Sequence, residues 1–267
     1  MSSNKLIVLF CLWYGLFGAL VGRPVVHGQE EIRLLALYPS DQKAFTQGLE
    51  VHPMLESGQL LMGTGLYGES SLGILDLETG EYEVIDALDE QYFGEGITVT
   101  DEVVWQLTWK EGTAFKRELQ SFDLLESVDY AGEGWGLAYD EDRQILWHSD
   151  GSSQLFLRDP DTFDLLGQLE VTYQQQAVTN LNELEYANGL VYANVWFTDL
   201  VIAINPENGH VQQVYDLHTL LEEVNQDYSA QAIEKMDVLN GIAHKEGDVF
   251  YLTGKQYPYV LEVELPR

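Results

Sequence analysis

The chain has 267 residues, with 13 Lys and Arg against 44 Asp and Glu, a formal net charge of -31. That excess of acid counts against a nucleic-acid partner, because phosphate binding needs basic stripes that release counterions. Hydrophobic residues at 45% and aromatics at 12% exclude a disordered acidic chain, and a lone cysteine, Cys11, excludes a disulfide framework.

Lys5 precedes a charge-free apolar run from Leu6 to Gly22, followed by Arg23, Pro24 and the small-residue pattern Val26-His27-Gly28. This order reads as a signal peptide over residues 1–28, cleaved after Gly28. An uncleaved anchor is the alternative, since the run sits at the lower limit for spanning a bilayer. The mature domain, residues 29–267, is expected to be secreted or periplasmic, free of the membrane once cleaved, and monomeric.

Ile32 to Tyr38 reads as a strand with no repeat of its own. After it, one pattern recurs: a tight, mostly glycine-centred turn followed by an apolar residue. The copies are Thr46-Gln47-Gly48-Leu49, Gly94-Glu95-Gly96-Ile97, Gly134-Trp135-Gly136-Leu137, Leu181-Asn182-Glu183-Leu184 and Leu239-Asn240-Gly241-Ile242, at intervals of roughly 40–60 residues. A second β-like run follows each copy, as in Val104 to Trp109 and Val191 to Trp196. Third runs such as Leu72 to Leu77 and Leu200 to Asn205 close on the turn signals Glu78-Thr79-Gly80 and Pro206-Glu207-Asn208-Gly209. Several short strands per repeat mean propeller blades rather than βαβ units.

Only Asp216 to Asn225 has helical spacing, through Leu217, Leu220, Leu221 and Val224, and it reads as a surface insertion in the fourth interval. The fifth repeat ends after its third strand, Tyr259 to Leu265. Pairing Ile32 to Tyr38 onto it would remove two free edges and lock a ring. The expected fold is therefore all-β, a five-bladed β-propeller closed by the N-terminal strand. A β-sandwich would not predict five matched turns.

In such a ring, equivalent positions of equivalent blades meet at one rim. The residues before the turn centre are Gln47, Glu95, Trp135, Asn182 and Asn240. Those ending the second runs are Gly65, Trp109, Asp150, Trp196 and Lys255. Carboxylates, several amides, a lysine and three tryptophans should converge, and apolar walls with few placed polar groups are the usual makeup of a ligand site. Each has a plainer explanation: inter-blade packing for the indoles, a surface ion pair for Lys255, turn polarity for Glu95 and Asn182.

The six histidines are scattered without a zinc-binding pattern, so no metal is expected at the site. The run Gly63-Thr64-Gly65-Leu66-Tyr67-Gly68 mimics a dinucleotide fingerprint but falls in a hairpin. No cofactor is expected, although the many oxygen ligands leave room for a structural calcium ion in the channel.

On these residues the chain resembles the glutaminyl-peptide cyclotransferase family of the plant and bacterial type. The resemblance runs from about Ala44 to Val263. It is carried in order by Phe45-Thr46-Gln47-Gly48-Leu49, Phe93-Gly94-Glu95-Gly96, Gln106-Leu107-Thr108-Trp109-Lys110, Glu133-Gly134-Trp135-Gly136-Leu137, Leu181-Asn182-Glu183-Leu184-Glu185-Tyr186, Ala193-Asn194-Val195-Trp196 and Thr253-Gly254-Lys255. The resemblance implies a five-bladed propeller that converts the N-terminal Gln of peptides or proteins to pyroglutamate, releasing ammonia without a metal. It implies Glu95 as the acid/base group, Asn182 and Lys255 as polar catalytic groups, and Phe45, Gln47, Trp109, Trp135 and Trp196 as the substrate pocket. Tyr257 stands where the family often has Trp. Cleavage after Gly28 would also expose Gln29 to the same cyclisation. A non-catalytic peptide- or glycan-binding propeller is the alternative, though it gives no reason for Glu95 and Lys255 together.

Overall fold

In the computed structural model the described residues are Glu31–Arg267; the expected leader and Gln29 lie outside them. The chain opens with β1 (Arg33–Pro39). The first blade is β2 (Thr46–Glu50), β3 (Gln59–Thr64), β4 (Ser71–Asp76) and β5 (Tyr82–Ala87). The second is β6 (Gly94–Val99), β7 (Val103–Thr108), β8 (Thr113–Glu118) and β9 (Leu124–Asp129), and the third is β10 (Leu137–Asp140), β11 (Ile145–Ser149), β12 (Gln154–Arg158) and β13 (Leu165–Glu170). A small hairpin that the sequence did not announce, β14 (Thr172–Tyr173) and β15 (Gln176–Ala177), leads into the fourth blade. That blade comprises β16 (Leu181–Ala187), β17 (Leu190–Val195), β18 (Leu200–Ile204) and β19 (Val211–Asp216). Two helices follow, α1 (His218–Asn225) and α2 (Ala230–Lys235), and then β20 (Leu239–Glu246), β21 (Val249–Gly254) and β22 (Tyr259–Glu264).

The fifth blade has the order β1-β22-β21-β20, so the N-terminal strand supplies its outer edge. Tyr38 pairs with Val260 in antiparallel register, its hydroxyl donates to Glu262 Oε2 at 2.7 Å, and Arg33 ion-pairs with Glu264. The first and last described strands thus sit in one sheet, and the fifth blade reaches four strands like the others.

The core lies in wedges between neighbouring blades. Leu61 and Leu72 meet Ile97 and Val104 between blades one and two, and Leu49, Leu60 and Met62 meet Ala243, Tyr251 and Val260 between blades one and five. Inner strands are buried on both faces, whereas outer strands such as β9 and β13 are largely exposed. This is why the inner runs read as continuous apolar stretches and the outer ones do not.

The structure corrects the sequence reading at two points. Helix α2 was not expected. It carries no buried residue and so shows no apolar stripe, and only Ser229, which accepts from the Ala232 N–H, marks its start. α1 does match the expected insertion, burying Leu221 and Val224.

The second correction concerns the repeated glycine motif, which in four blades is not a turn but the mouth end of the inner strand; in the third, Gly134-Trp135-Gly136 runs directly into β10 at Leu137. Ladder register slips there, between Thr46 and Gly48, Gly94 and Ile97, Leu181 and Leu184, and Leu239 and Ile242. Such bulges re-aim the extra residue. The glycines serve close approach between strands: a Cβ on Gly96 would lie 2.6 Å from the Trp135 carbonyl oxygen, and one on Gly136 would strike that of Asn182.

At the centre, Glu183 of β16 is fully buried and accepts the Leu49 N–H at 3.2 Å and the Ile242 N–H at 2.8 Å. One carboxyl group thereby links blades four, one and five.

Candidate active site

One repeated hydrogen bond assembles the rim. The carbonyl two residues ahead of the bulge residue accepts the N–H of the residue that follows the second strand. The pairs are Phe45 with Gly65, Phe93 with Trp109, Asn180 with Trp196, and Val238 with Lys255, at 2.8–2.9 Å. Each bond brings a bulge side chain and a second-strand terminus together at the same end of the ring.

The result is a pocket of about 180 Å³ lined by Phe45, Gln47, Phe93, Glu95, Trp109, Trp135, Asn182, Trp196 and Lys255. All eight residues expected from the sequence are here. Of the other rim positions, Gly65 adds space rather than a side chain, since a Cβ there would meet the Gln47 Cγ at 3.0 Å and the Phe93 ring. Asp150 caps its own turn by accepting the Ser152 N–H. Tyr257 is buried against Tyr259, ring centroids 5.3 Å apart, and does not line the pocket.

Sequence reasoning missed Phe93. The signal was present: Phe93 precedes Glu95 by two residues just as Phe45 precedes Gln47. The two phenyl rings stand edge to face at 6.2 Å, and Phe93 packs in the same way on Trp109 at 5.4 Å. Trp135 and Trp196 form a second T-shaped pair at 5.1 Å.

Glu95 is 5% exposed. The Gln47 Nε2 donates to its Oε1 at 2.9 Å, and the Gln47 Oε1 in turn accepts from the Asn240 Nδ2 at 3.1 Å. This second bond fixes which way the Gln47 amide faces. Burial drives the Glu95 carboxyl well above the ordinary 4.5; Lys255 opposes this, while Glu111 and Glu133 reinforce it.

Lys255 is buried too, its Nζ 5.1 Å from the Phe45 ring centre and 6.0 Å from that of Trp196. Desolvation lowers its pKa from 10.5, opposed by Glu95 and Asp237. The Asn182 Oδ1 is buried without a hydrogen-bond partner among the described residues. A buried polar atom left unpaired costs about 1–3 kcal/mol, which a ligand N–H would offset.

Among the described residues no group of three or more His, Cys, Asp or Glu is arranged to hold a metal ion. A larger cavity of about 500 Å³, lined among others by Glu50, Glu141, Glu185 and His244, shares no residue with this pocket.

A five-bladed propeller whose rim gathers one buried carboxyl, one lysine and an aromatic cage is the framework of a small-substrate acid/base enzyme. The family model for glutamine cyclotransferase matches residues 18–265, and the chain belongs to that family. It is 36% identical over 245 residues to the glutaminyl-peptide cyclotransferase of Arabidopsis thaliana, covering 90% of this chain and 73% of that one. It is also similar to the crystal structure of Myxococcus xanthus glutaminyl cyclase, with a TM-score of 0.75, 34% identity, and coverage of 87% of this chain and 95% of the other. Neither comparison favours a non-catalytic binding propeller.

Proposed function

We propose that this protein is a glutaminyl-peptide cyclotransferase, that its substrates are peptides or proteins beginning with Gln, and that Glu95 is its proton shuttle. The observation that carries the assignment of Glu95 is its place as the one carboxyl among the pocket-lining residues, buried, held by Gln47 and sharing the cavity with Lys255.

Nucleophile and electrophile belong to the same glutamine, so no second reactant has to be captured. What remains is to freeze the side chain in its curled form, about 1.5–2 kcal/mol of rotamer entropy, which a close aromatic cage supplies. The α-amine, with an ordinary pKa near 8, is mostly protonated at neutral pH and cannot attack. Glu95 takes that proton. A carboxyl raised toward the amine's pKa is better matched for this transfer than an ordinary one.

The freed amine nitrogen attacks Cδ, the N–Cδ bond forms, and the carbonyl π pair moves onto oxygen. Lys255 faces that developing negative charge as a cation, and Asn182 offers its amide to the reacting groups. Glu95 then gives its proton to the amide nitrogen and, ionised again, takes the second proton from the ring nitrogen. The old C–N bond breaks, and ammonia leaves as the carbonyl reforms. The ammonia picks up that second proton, which returns Glu95 to its carboxylate. No atom is added: the protonated substrate divides into a pyroglutamyl peptide and ammonium. No step calls on a metal. The charge-free run Leu6 to Gly22 supports export of the enzyme.

The test is ammonia release from a Gln-initiated dipeptide amide. The expected result is stoichiometric ammonia and pyroglutamyl product. Product-free binding of the peptide would instead indicate a binding propeller.

A further inference from the structure

The third blade departs from the rim pattern at Glu133. By register Glu133 is the counterpart of Phe45 and Phe93, two residues ahead of the bulge position. Its carbonyl does not accept the usual backbone N–H. It is bonded instead to the His148 Nε2 at 3.0 Å.

The assignment of protons along this link follows from donor chemistry. The Arg158 Nε–H donates to the His148 Nδ1 at 3.0 Å, and arginine has no acceptor to offer. The Nδ1 therefore carries a lone pair, and the Nε2–H donates to the Glu133 carbonyl. Burial, with the charge of Arg158, pushes His148 down to about 3, so this neutral tautomer persists across physiological pH. Both His148 and Arg158 are buried.

The Glu133 side chain does something neither phenylalanine does. Its Oε2 accepts the Trp109 Nε1–H at 2.8 Å and the Trp135 Nε1–H at 3.1 Å. These indoles come from the second and third blades, and both line the pocket. Each indole can still pivot on its ring contacts, Trp109 on Phe93 and Trp135 on Trp196. A shared acceptor removes that freedom from both at once.

We propose that Glu133 is a positioning residue for the cyclisation: it clamps two indole walls from adjacent blades onto one carboxylate oxygen and holds a fixed negative charge near Glu95. The proposal rests on the cyclotransferase reading of the pocket. It divides into a geometric part, the acceptor, and an electrostatic part, the charge. The other groups acting on Glu95 are Lys255, Glu111 and the Gln47 amide, while the phenols of Tyr67 and Tyr130 feel its charge. None of these bridges the indoles.

The two parts separate in two variants of the full-length enzyme. Glu133→Gln keeps an oxygen able to accept both indole N–H groups but removes the charge. KM should stay within about twofold of wild type, and the acid limb of the kcat/KM profile should move to lower pH, because one repulsion that raises the Glu95 pKa is gone. Glu133→Ala removes the acceptor as well. Its kcat/KM should fall at least about tenfold, since small misplacements of a reacting group are costly, and the near-UV circular dichroism of the indoles should collapse.

Loss of activity only in proportion to the unfolded fraction, with an unmoved pH profile in Glu133→Gln, would reduce Glu133 to a structural residue and overturn the proposal. So would a Glu133→Ala enzyme within twofold of wild type. The wild-type control keeps the two readings apart: an inactive wild type with intact indole dichroism that is lost in Glu133→Ala would overturn the cyclotransferase assignment, not the clamp.

Discussion

Gln47 and Glu95, 48 positions apart in sequence and on neighbouring blades, are joined by a single hydrogen bond of 2.9 Å from Nε2 to Oε1. The same Gln47 amide is held from its other side by Asn240, of the fifth blade. An amide oriented in this way can stabilise Glu95 while it is ionised, and it need not turn over when Glu95 takes up a proton on its other oxygen. The site is thus prepared for both states of one group.

Replacing the carboxyl tests the shuttle directly. Glu95→Gln should fold as wild type does and release ammonia at least about a hundredfold more slowly, the scale of a lost general acid/base. Near-normal turnover in that variant would defeat the assignment. Asn240→Ala should leave KM almost unchanged while lowering kcat about tenfold, because it frees the Gln47 amide to rotate away from Glu95.

The pH–rate profile carries its own signature. With Glu95 raised above 4.5 and Lys255 lowered from 10.5, both limbs of kcat/KM should lie inside the range expected for an ordinary carboxylate and an ordinary lysine. In Lys255→Met the alkaline limb due to the lysine should vanish. The acid limb should move up, since the cation opposing the Glu95 shift is gone, and kcat should fall about 10²–10³-fold. An acid limb that stays near 4.5 in the wild type would contradict the buried-shuttle picture.

Stability should depend on pH through desolvated acids outside the pocket, Glu50, Glu183 and Glu185. Burial raises Glu183 and Glu185 well above 4.5, and Glu50 is pushed up to about 8. In the folded state these groups bind protons that the unfolded chain has already released above pH 4.5. Their contribution is therefore fully present below that pH and is lost as pH rises through the folded values. The Tm should fall between pH 5 and pH 8, and Glu185→Gln should flatten the decline. A Tm that climbs over this interval would show the sign to be wrong.

Turnover should be insensitive to a strong chelator, because every proposed step is assigned to Glu95, Lys255 or Asn182. Loss of activity on chelation, restored by a divalent cation, would require a different mechanism.

Much of this was legible along the chain because a propeller is a local repeat. Four blades are formed wholly by strands adjacent in sequence, so strand patterns and turn signals marked the blades, and the missing fourth strand of the last repeat pointed to β1. Seven of the eight expected pocket residues were legible for the same reason, since equal register in equal units gives equal position; Phe45 came from the family resemblance alone. Phe93 was overlooked although its register matched that of Phe45, and α2 was overlooked because an exposed helix of six residues leaves no apolar stripe.

Which atoms touch was another matter. Residue types and spacings determined the all-β ring, its five units and the rim on which the chemistry-bearing side chains gather, since these follow from periodicity. Only the folded structure decided that the glycine motif is a bulged inner strand in four of the five blades, that Gln47 serves Glu95, and that one oxygen of Glu133 holds two indoles. Those relationships join blades whose sequences have no local claim on one another. They depend on distances of a few ångströms set by backbones packed blade against blade, which no one-dimensional pattern encodes.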